Sequence, residues 1–241
     1  MLREIPLTDI LFIDIETIPA YPSFSEAPIQ EQEFWKKKAD TLNRNQPYDV
    51  EEFYQRAGIY AEFGRVVCVS TGRLRPLTAK NNLRLEIRSF IGADENRLLR
   101  ELTKSLDKFN SRTQRLCAHN GKEFDFPYLS RRFLINRLEL PKCLNNAGKK
   151  PWEIMHLDTL DIWKFGDYKH YTSLDRLASL FGIESPKSEM DGSMVAKAWY
   201  QENLPDSIRK YCEADVLTLV KVFLHIRDQS ISREITVEYC R

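Results

Sequence analysis

The apolar stretch ILFIDIETIPA, residues 10–20, contains two carboxylates, Asp14 and Glu16. Residues two apart in a β-strand share one face, so these side chains would lie beside each other. At about 4 Å and an effective dielectric of about 20, their repulsion is on the order of 4 kcal/mol. A hard divalent cation such as Mg²⁺, which binds oxygen ligands, would neutralise the pair. A solvated strand end is the alternative interpretation.

A third acidic residue, Asp125, lies in the segment AHNGKEFDFPYL, residues 118–129. The pattern predicts a strand, then a turn at Asn120, then a helix that begins near Asp125. An acidic residue in the first turn of a helix is stabilised by the helix dipole, which would explain Asp125 without any function. Its position between Phe124 and Phe126 suits instead a site that stacks bases and holds a metal.

A fourth acidic residue, Asp215, lies in the segment IRKYCEADVLTLV, residues 208–220. The apolar spacing predicts a helix with one buried face. Tyr211 and Asp215 are four residues apart, so they lie one turn apart on an adjacent face and can reach one site. The alternative is that Tyr211 is a half-buried packing residue and Asp215 a surface charge.

Strands and helices must bring these three segments together. Strands are predicted over residues 8–16, 64–74, 83–90 and 114–120. Helices are predicted over residues 92–110, 126–140, 172–181, 191–202 and 205–228. Three strands followed by alternating strands and helices indicate an α/β protein with a mixed sheet flanked by helices. Asp94 is expected to cap the first of these helices.

Residues 20–62 fit this pattern poorly and are interpreted as an insertion. The segment is charged and interrupted by prolines, but it is too aromatic for a disordered linker. We expect one or two short helices packed beside the end of the first strand. Trp35, Tyr54 and Tyr60 would fill a small satellite core or, beside lysines 36–38, contact nucleic acid. The insertion would cover one side of a substrate cleft or form a partner surface.

Bulk composition favours one domain of 241 residues, with 42% hydrophobic and 29% charged residues. The net charge of +1 excludes a global basic field, so any nucleic-acid binding would depend on local patches. An odd number of cysteines and the lack of a C-x-x-C pair favour a reduced, cytoplasmic protein. The N-terminus lacks the apolar core of a signal peptide, and no apolar run approaches membrane-spanning length. The cysteines are Cys68, Cys117, Cys143, Cys212 and Cys240.

The motifs F-x-D-x-E-T, H-N-x-x-x-F-D and Y-x-x-x-D, in this order, resemble the DEDD superfamily of ribonuclease-H-like 3′–5′ exonucleases. In that superfamily four acidic residues define the site, and here they are Asp14, Glu16, Asp125 and Asp215. One branch has His where this chain has Lys210, and the other has Tyr where this chain has Tyr211. The chain is therefore similar to the DEDDy branch, which includes the proofreading domains of family-B DNA polymerases. The resemblance spans about residues 8–225.

The resemblance implies a single domain, residues 1–241, with a ribonuclease-H-like mixed sheet of five to six strands. It also implies two divalent cations, Mg²⁺ or Mn²⁺, about 4 Å apart. Asp14 would bridge both cations, Glu16 and Asp215 would complete the ligand set of the first cation, and Asp125 would hold the second cation through water. Tyr211 would orient the attacking water, because a phenol with a pKa of about 10 is a poor base at neutral pH.

The implied substrate is the 3′ end of single-stranded DNA, with nucleoside 5′-monophosphates as products. Thr17, Asn120 and Phe124 match positions that contact the strand in polymerase-type relatives, and Lys187 would approach the terminal phosphates. Alternatively, Thr17 is a turn residue, Phe124 is a core residue and Lys187 is a solvated lysine.

The same motifs are compatible with two alternative functions. The motifs do not distinguish DNA from RNA, since that choice depends on contacts with the 2′-hydroxyl; the polymerase-like second motif favours DNA. A non-catalytic nucleic-acid-binding or scaffold module is the other alternative, although such a module has little reason to retain four repelling carboxylates. A polymerase or repair partner is compatible with either function.

Overall fold

The computed structural model describes residues 2–44, 46–77, 82–106, 109, 113–167, 170–184, 190–228 and 234–240. The strands are β1 (Ile10–Pro19), β2 (Gly64–Pro76), β3 (Leu83–Ile91), β4 (Arg115–Ala118), β5 (Leu157–Asp158) and β6 (Ile235–Cys240). The helices are α1 (Ile29–Leu42), α2 (Val50–Tyr54), α3 (Glu95–Leu106), α4 (Asp125–Ile135), α5 (Thr159–Lys164), α6 (Leu174–Leu180), α7 (Val195–Tyr200) and α8 (Pro205–Asp228).

All six of these strands belong to one mixed sheet with the order β5-β4-β1-β2-β3-β6. β2 is antiparallel to both β1 and β3, whereas β4 is parallel to β1 and β5 is parallel to β4. β6 lies parallel to β3 at one edge. The prediction of a mixed sheet of five to six strands flanked by helices is confirmed.

β1 is buried on both faces, which explains its continuous apolar run. Leu11, Ile13 and Ile15 pack with residues of α3 and α4 on one side of the sheet. Phe12 packs with residues of α8 on the other side. Side chains alternate along a strand, so the carboxylates that follow Phe12 at two-residue spacing point towards α8.

The five predicted helices are present: α8 spans the predicted residues, and α3, α4, α6 and α7 have shifted ends, whereas α5 is not among the helices predicted above. In α3 the leucines at 98, 99, 102 and 106 are buried, and the Arg97 N–H donates to Asp94 Oδ1 at 3.0 Å, so the predicted cap is confirmed. α8 is the longest helix in the described chain, with 24 residues, and packs against β1 and β2. None of the described helices combines the length and the apolar character that a bilayer-spanning segment needs.

The insertion, residues 20–62, holds α1, α2 and a 3-10 helix, Gln55–Ile59. α1 has 14 residues and is longer than the short helices that we expected. Trp35 is fully buried, and its ring lies 5.6 Å from the ring of Tyr54 and 6.1 Å from that of Tyr60. The aromatic residues therefore form the predicted satellite core.

Three strands differ clearly from the prediction, and one of them, the two-residue strand β5, was not predicted. β1 begins at Ile10 rather than at residue 8 and continues to Pro19 rather than ending at residue 16. β6 was not predicted; it is an edge strand whose residues are half-buried or exposed, so its sequence carries only a weak apolar pattern.

Candidate active site

The predicted pair Asp14 and Glu16 lies side by side on the α8 face of β1. Asp14 is opposite Ser70 and Glu16 is opposite Cys68 in β2, and the register between the two strands shifts directly after Glu16. A carboxylate oxygen of Asp14, one of Glu16 and Cys212 Sγ all lie within 4.8 Å of one another. The two-residue spacing has thus placed two acidic groups within reach of one cation.

α8 brings Tyr211 and Asp215 to the same place, one helical turn apart. The Tyr211 hydroxyl is hydrogen-bonded to the Asp215 carboxylate. Burial raises the pKa of Tyr211, and the charges of Asp215, Glu16 and Asp14 raise it further. The phenol therefore stays protonated near neutral pH and acts as a hydrogen-bond donor, not as a base.

Cys212 is also close to the carboxylates, but its chemistry does not suit a ligand. Its thiol donates to the main-chain oxygen of Asp14 at 3.5 Å. Burial raises the pKa of the thiol well above its usual value, and a hydrogen bond with Cys68 adds to this. A neutral thiol is a poor ligand for hard cations, which take oxygen. Cys212 is therefore a core residue.

Asp125 begins α4 and is almost fully buried, with 4% of its surface exposed. Its carboxylate is hydrogen-bonded to the main chain of Ile15, one residue from Asp14, and to its own main chain. Burial raises its pKa to about 8 and the charge of Asp158 contributes, while the main-chain hydrogen bonds oppose the rise. The charge of Asp125 raises the pKa of Asp14, but Asp125 is not among the described residues that line the cleft discussed below.

The carboxylates of this cluster are not neutralised by an ion pair within the described part of the chain. No lysine or arginine in the described ranges forms an ion pair with Asp14, Glu16 or Asp215. Burial, and then neighbouring acids, raise the pKa of Asp14 and Glu16 well above the usual range; burial, and then Asp175, raise that of Asp215 to about 7.

One oxygen of this cluster is also unsatisfied. Asp14 Oδ2 is buried and accepts no hydrogen bond from any residue that the structure describes. A buried acceptor without a donor costs about 1–3 kcal/mol or more when charged. Several carboxylate oxygens lie close together here, and one of them accepts no hydrogen bond. This arrangement suits a divalent cation, which binds oxygen ligands.

The cluster opens into a cleft of about 470 Å³. Thr17 and Phe124, two of the predicted substrate contacts, line this cleft together with Tyr211. The acidic residues that line it are Asp14, Glu16 and Asp215. Arg56, from the 3-10 helix of the insertion, is the one basic residue among the lining residues that the structure describes.

Asn120, another predicted substrate contact, is not among the described residues that line this cleft. Asn120 borders a neighbouring cavity of about 460 Å³ that also contains Lys149 and Trp152. Its main-chain N–H donates to Asp158 Oδ1 at 2.9 Å, and its φ of 60° is left-handed. Asn120 therefore shapes the loop before α4. Lys187 lies outside the described residues.

The insertion forms one wall of the cleft through Gln55, Arg56, Gly58 and Ile59. The Tyr128 hydroxyl donates to the Gly58 carbonyl at 2.8 Å and is hydrogen-bonded to the Thr17 side chain. Gly64 leaves room for this contact, since a Cβ there would lie 2.4 Å from the Tyr128 hydroxyl. Of the two predicted roles for the insertion, the structure supports the cleft wall. Sequence reasoning did not identify Arg56, because no local motif marks it.

Comparisons with known proteins bear on the family and the fold of this chain. The profile of a family described as "Predicted 3'-5' exonuclease related to the exonuclease domain of PolB" matches residues 59–238. This range contains Asp125, Tyr211 and Asp215, but not Asp14 and Glu16. A comparison with curated proteins gives no significant match.

A solved structure of similar fold is the family B DNA polymerase from the hyperthermophilic archaeon Pyrobaculum calidifontis, with a TM-score of 0.54 and 18% sequence identity. The similarity covers 90% of this chain and 24% of the polymerase, so this chain spans about a quarter of the length of that protein. At this identity the likeness establishes the fold, and the ribonuclease-H-like prediction is confirmed.

Proposed function

The chain belongs to the family of predicted 3′–5′ exonucleases related to the exonuclease domain of PolB, and we propose that it hydrolyses phosphodiester bonds at the 3′ end of single-stranded DNA. The products would be nucleoside 5′-monophosphates. The observation that carries this proposal is the buried Oδ2 of Asp14, which lies beside Glu16 and lacks a hydrogen-bond donor in the described chain.

Asp14, Glu16 and Asp215 would hold divalent cations, Mg²⁺ or Mn²⁺, and Asp125 would hold a cation through water. The cations would supply positive charge to the phosphoryl oxygens and lower the pKa of water at the site. The protein contributes a strand and a helix that keep the carboxylates together. The hydrogen bond between Asp125 and the main chain of Ile15 fixes β1 next to Asp14.

Tyr211 would position the attacking water. Because its pKa is raised, the phenol keeps its proton and donates a hydrogen bond. Its hydrogen bond with Asp215 fixes the ring at the mouth of the acidic cluster. Alignment of a nucleophile with its target can supply a large part of a rate enhancement without any proton transfer.

The walls of the cleft suit an unpaired strand end. Phe124 offers a ring on which a base can stack, a contact worth roughly 1–3 kcal/mol that tolerates any base. Thr17 lies on the same wall, beside Tyr128. On the insertion side, Arg56 would bind a backbone phosphate of the strand and counter the repulsion between the phosphates and the acidic cluster.

The test is a degradation ladder from 5′-labelled single-stranded DNA and RNA of one sequence, with Mg²⁺, Mn²⁺ or EDTA. We expect the DNA to shorten from its 3′ end only with a divalent cation. Asp14→Asn should reduce the rate by more than about 100-fold, since even residues that support metal ligands are worth about 10- to 100-fold. The matched control is Asp161→Asn, an exposed carboxylate that pairs with Lys122 at 2.9 Å.

The outcomes separate the alternatives. Turnover by Asp14→Asn that equals wild type would remove the acidic cluster from the mechanism. Faster shortening of RNA would make the protein an exoribonuclease with the same chemistry. Strand binding without cleavage under any cation would identify a non-catalytic module.

A further inference from the structure

A third cavity, of about 460 Å³ and distinct from the one that Asn120 borders, lies on the face of the sheet opposite the acidic cleft. Its floor includes Leu11 and Thr71, and its rim includes Lys104 and Ser105 of α3. Leu11 belongs to the core beneath α3 and α4, whereas Asp14 and Glu16 face α8. Ligand binding here would therefore not overlap with the acidic cleft.

The lining is strongly basic. Arg73, Arg75, Arg88 and Lys104 face a single carboxylate, Glu86. Glu86 is already engaged, since Arg75 lies 3.2 Å from one of its oxygens and Arg84 lies 3.3 Å from the other. The whole chain has 36 basic and 35 acidic residues, so this excess is local.

Two guanidinium groups in this cavity lack partners. The side chains of Arg73 and Arg88 form no hydrogen bond or ion pair with the residues that the structure describes. Arg73 is half-buried, and this burial and the charge of Arg75 lower its pKa, while the charge of Glu86 opposes them. Positive charge is thus held in a partly desolvated place, where Glu86 is the one carboxylate among the described lining residues.

The sheet register sets the spacing of these two arginines. Arg73 lies opposite Glu86, and Thr71 lies opposite Arg88, so Arg73 and Arg88 are diagonal neighbours on one face. Such neighbours are about 7–8 Å apart at the backbone, within reach of one ligand for long side chains. Guanidinium groups bind phosphate oxygens in pairs, with a geometry that lysine does not provide.

We propose that this cavity binds a phosphate group, carried either by a free nucleotide or by the backbone of a nucleic-acid strand. Arg73 and Arg88 clamp the phosphate, and Lys104 adds charge at the rim. The volume of about 460 Å³ falls within the usual range of small-molecule pockets, about 300–1,000 Å³. The proposal does not depend on hydrolysis in the acidic cleft.

Cys240 provides a local reporter. It lines the cavity and is half-buried, whereas the other four cysteines are buried. The rate at which Cys240 reacts with a bulky maleimide would be measured in EDTA, which prevents cleavage. The probes are inorganic phosphate, a nucleoside 5′-monophosphate and a single-stranded oligonucleotide. At a ligand concentration about tenfold above Kd, the reaction should slow by about tenfold.

The variant Arg73→Gln/Arg88→Gln should lose this protection, and the single variant Arg88→Gln, at an exposed position, should weaken it with less risk to folding. The control variant Arg97→Gln/Arg100→Gln removes the same amount of charge from the exposed side of α3, and ligands should still protect Cys240 in it. Protection by phosphate and mononucleotide identifies a free nucleotide as ligand; protection by the oligonucleotide alone identifies a strand. Absence of protection by all three probes at about 10 mM, or equal protection in the arginine variants, would overturn the proposal.

Discussion

Without divalent cations, the free energy of unfolding of this protein should decrease as the pH rises. The raised pKa of Asp125 determines the direction of this change. Its pKa is about 8 in the folded protein, against an ordinary value of 3.8. Between these values the folded state retains a proton that the unfolded state has released, so the free energy of unfolding decreases as pH increases. Asp215, with a pKa of about 7, acts in the same direction.

The pH range in which the effect of Asp125 on stability can be measured begins near pH 6.5. Burial lowers the pKa of His156 to about 4, so below the usual histidine pKa of about 6.5 this residue makes stability rise with pH instead. Above that value the carboxylates dominate. A fully bound proton is worth about 1.4 kcal/mol per pH unit, and Asp125 is half-titrated at its pKa, so it alone contributes about 1.6 kcal/mol between about pH 6.5 and 8. For a chain of this size that corresponds to a decrease in Tm of about 3–6 °C.

The assay is thermal unfolding in EDTA at the two pH values, for wild type and two variants. Asp125→Asn keeps an acceptor for the main chain of Ile15 but cannot ionise, so its Tm should change less with pH than that of wild type, and the remaining change should come from the other raised carboxylates, such as Asp215. Asp161→Asn, an exposed carboxylate, should behave like wild type. Saturating Mg²⁺ should also flatten the wild-type dependence, because the cation replaces the proton. A wild-type Tm that is equal at both pH values, or an equal decrease in Asp125→Asn, would refute this reasoning.

Three further perturbations address the cleft. Tyr211→Phe should lower kcat by about 10- to 100-fold with little change in KM, because it removes positioning rather than binding; Tyr239→Phe, at an exposed tyrosine, is the control, and an unchanged kcat would exclude Tyr211 from the mechanism. Phe124→Ala should weaken the binding of a single strand by roughly 1–3 kcal/mol in fluorescence anisotropy, and an unchanged affinity would argue against stacking. Arg56→Gln should raise KM and reduce the salt dependence of binding by about 0.7 in log–log slope, whereas Arg97→Gln should not; equal slopes would contradict a phosphate contact.

The sequence was most informative where function depends on spacing within one element. The separation of Asp14 and Glu16 by two residues in a strand, and of Tyr211 and Asp215 by four in a helix, determines which side chains are neighbours regardless of the rest of the fold. These four residues meet as predicted.

Features that depend on tertiary placement could not be predicted in the same way. Arg56 reaches the cleft because the insertion docks on β1 and α4, and its own neighbours in the sequence carry no sign of this. Asn120 matched a motif position, yet its main chain is held by Asp158, a residue 38 positions away. β6 pairs at an edge with residues more than 140 positions earlier, where little burial shapes its sequence.

The hydrogen bonds that join Thr17, Tyr128 and Gly58 link three segments that are distant in the chain. They hold the wall that carries Arg56 against β1 before any ligand arrives. The conformational entropy of ordering that wall is lost during folding, so it does not subtract from the affinity for a strand. The cleft is thus preorganised. Its width, fixed on folding, would determine whether an unpaired strand or a duplex can bind.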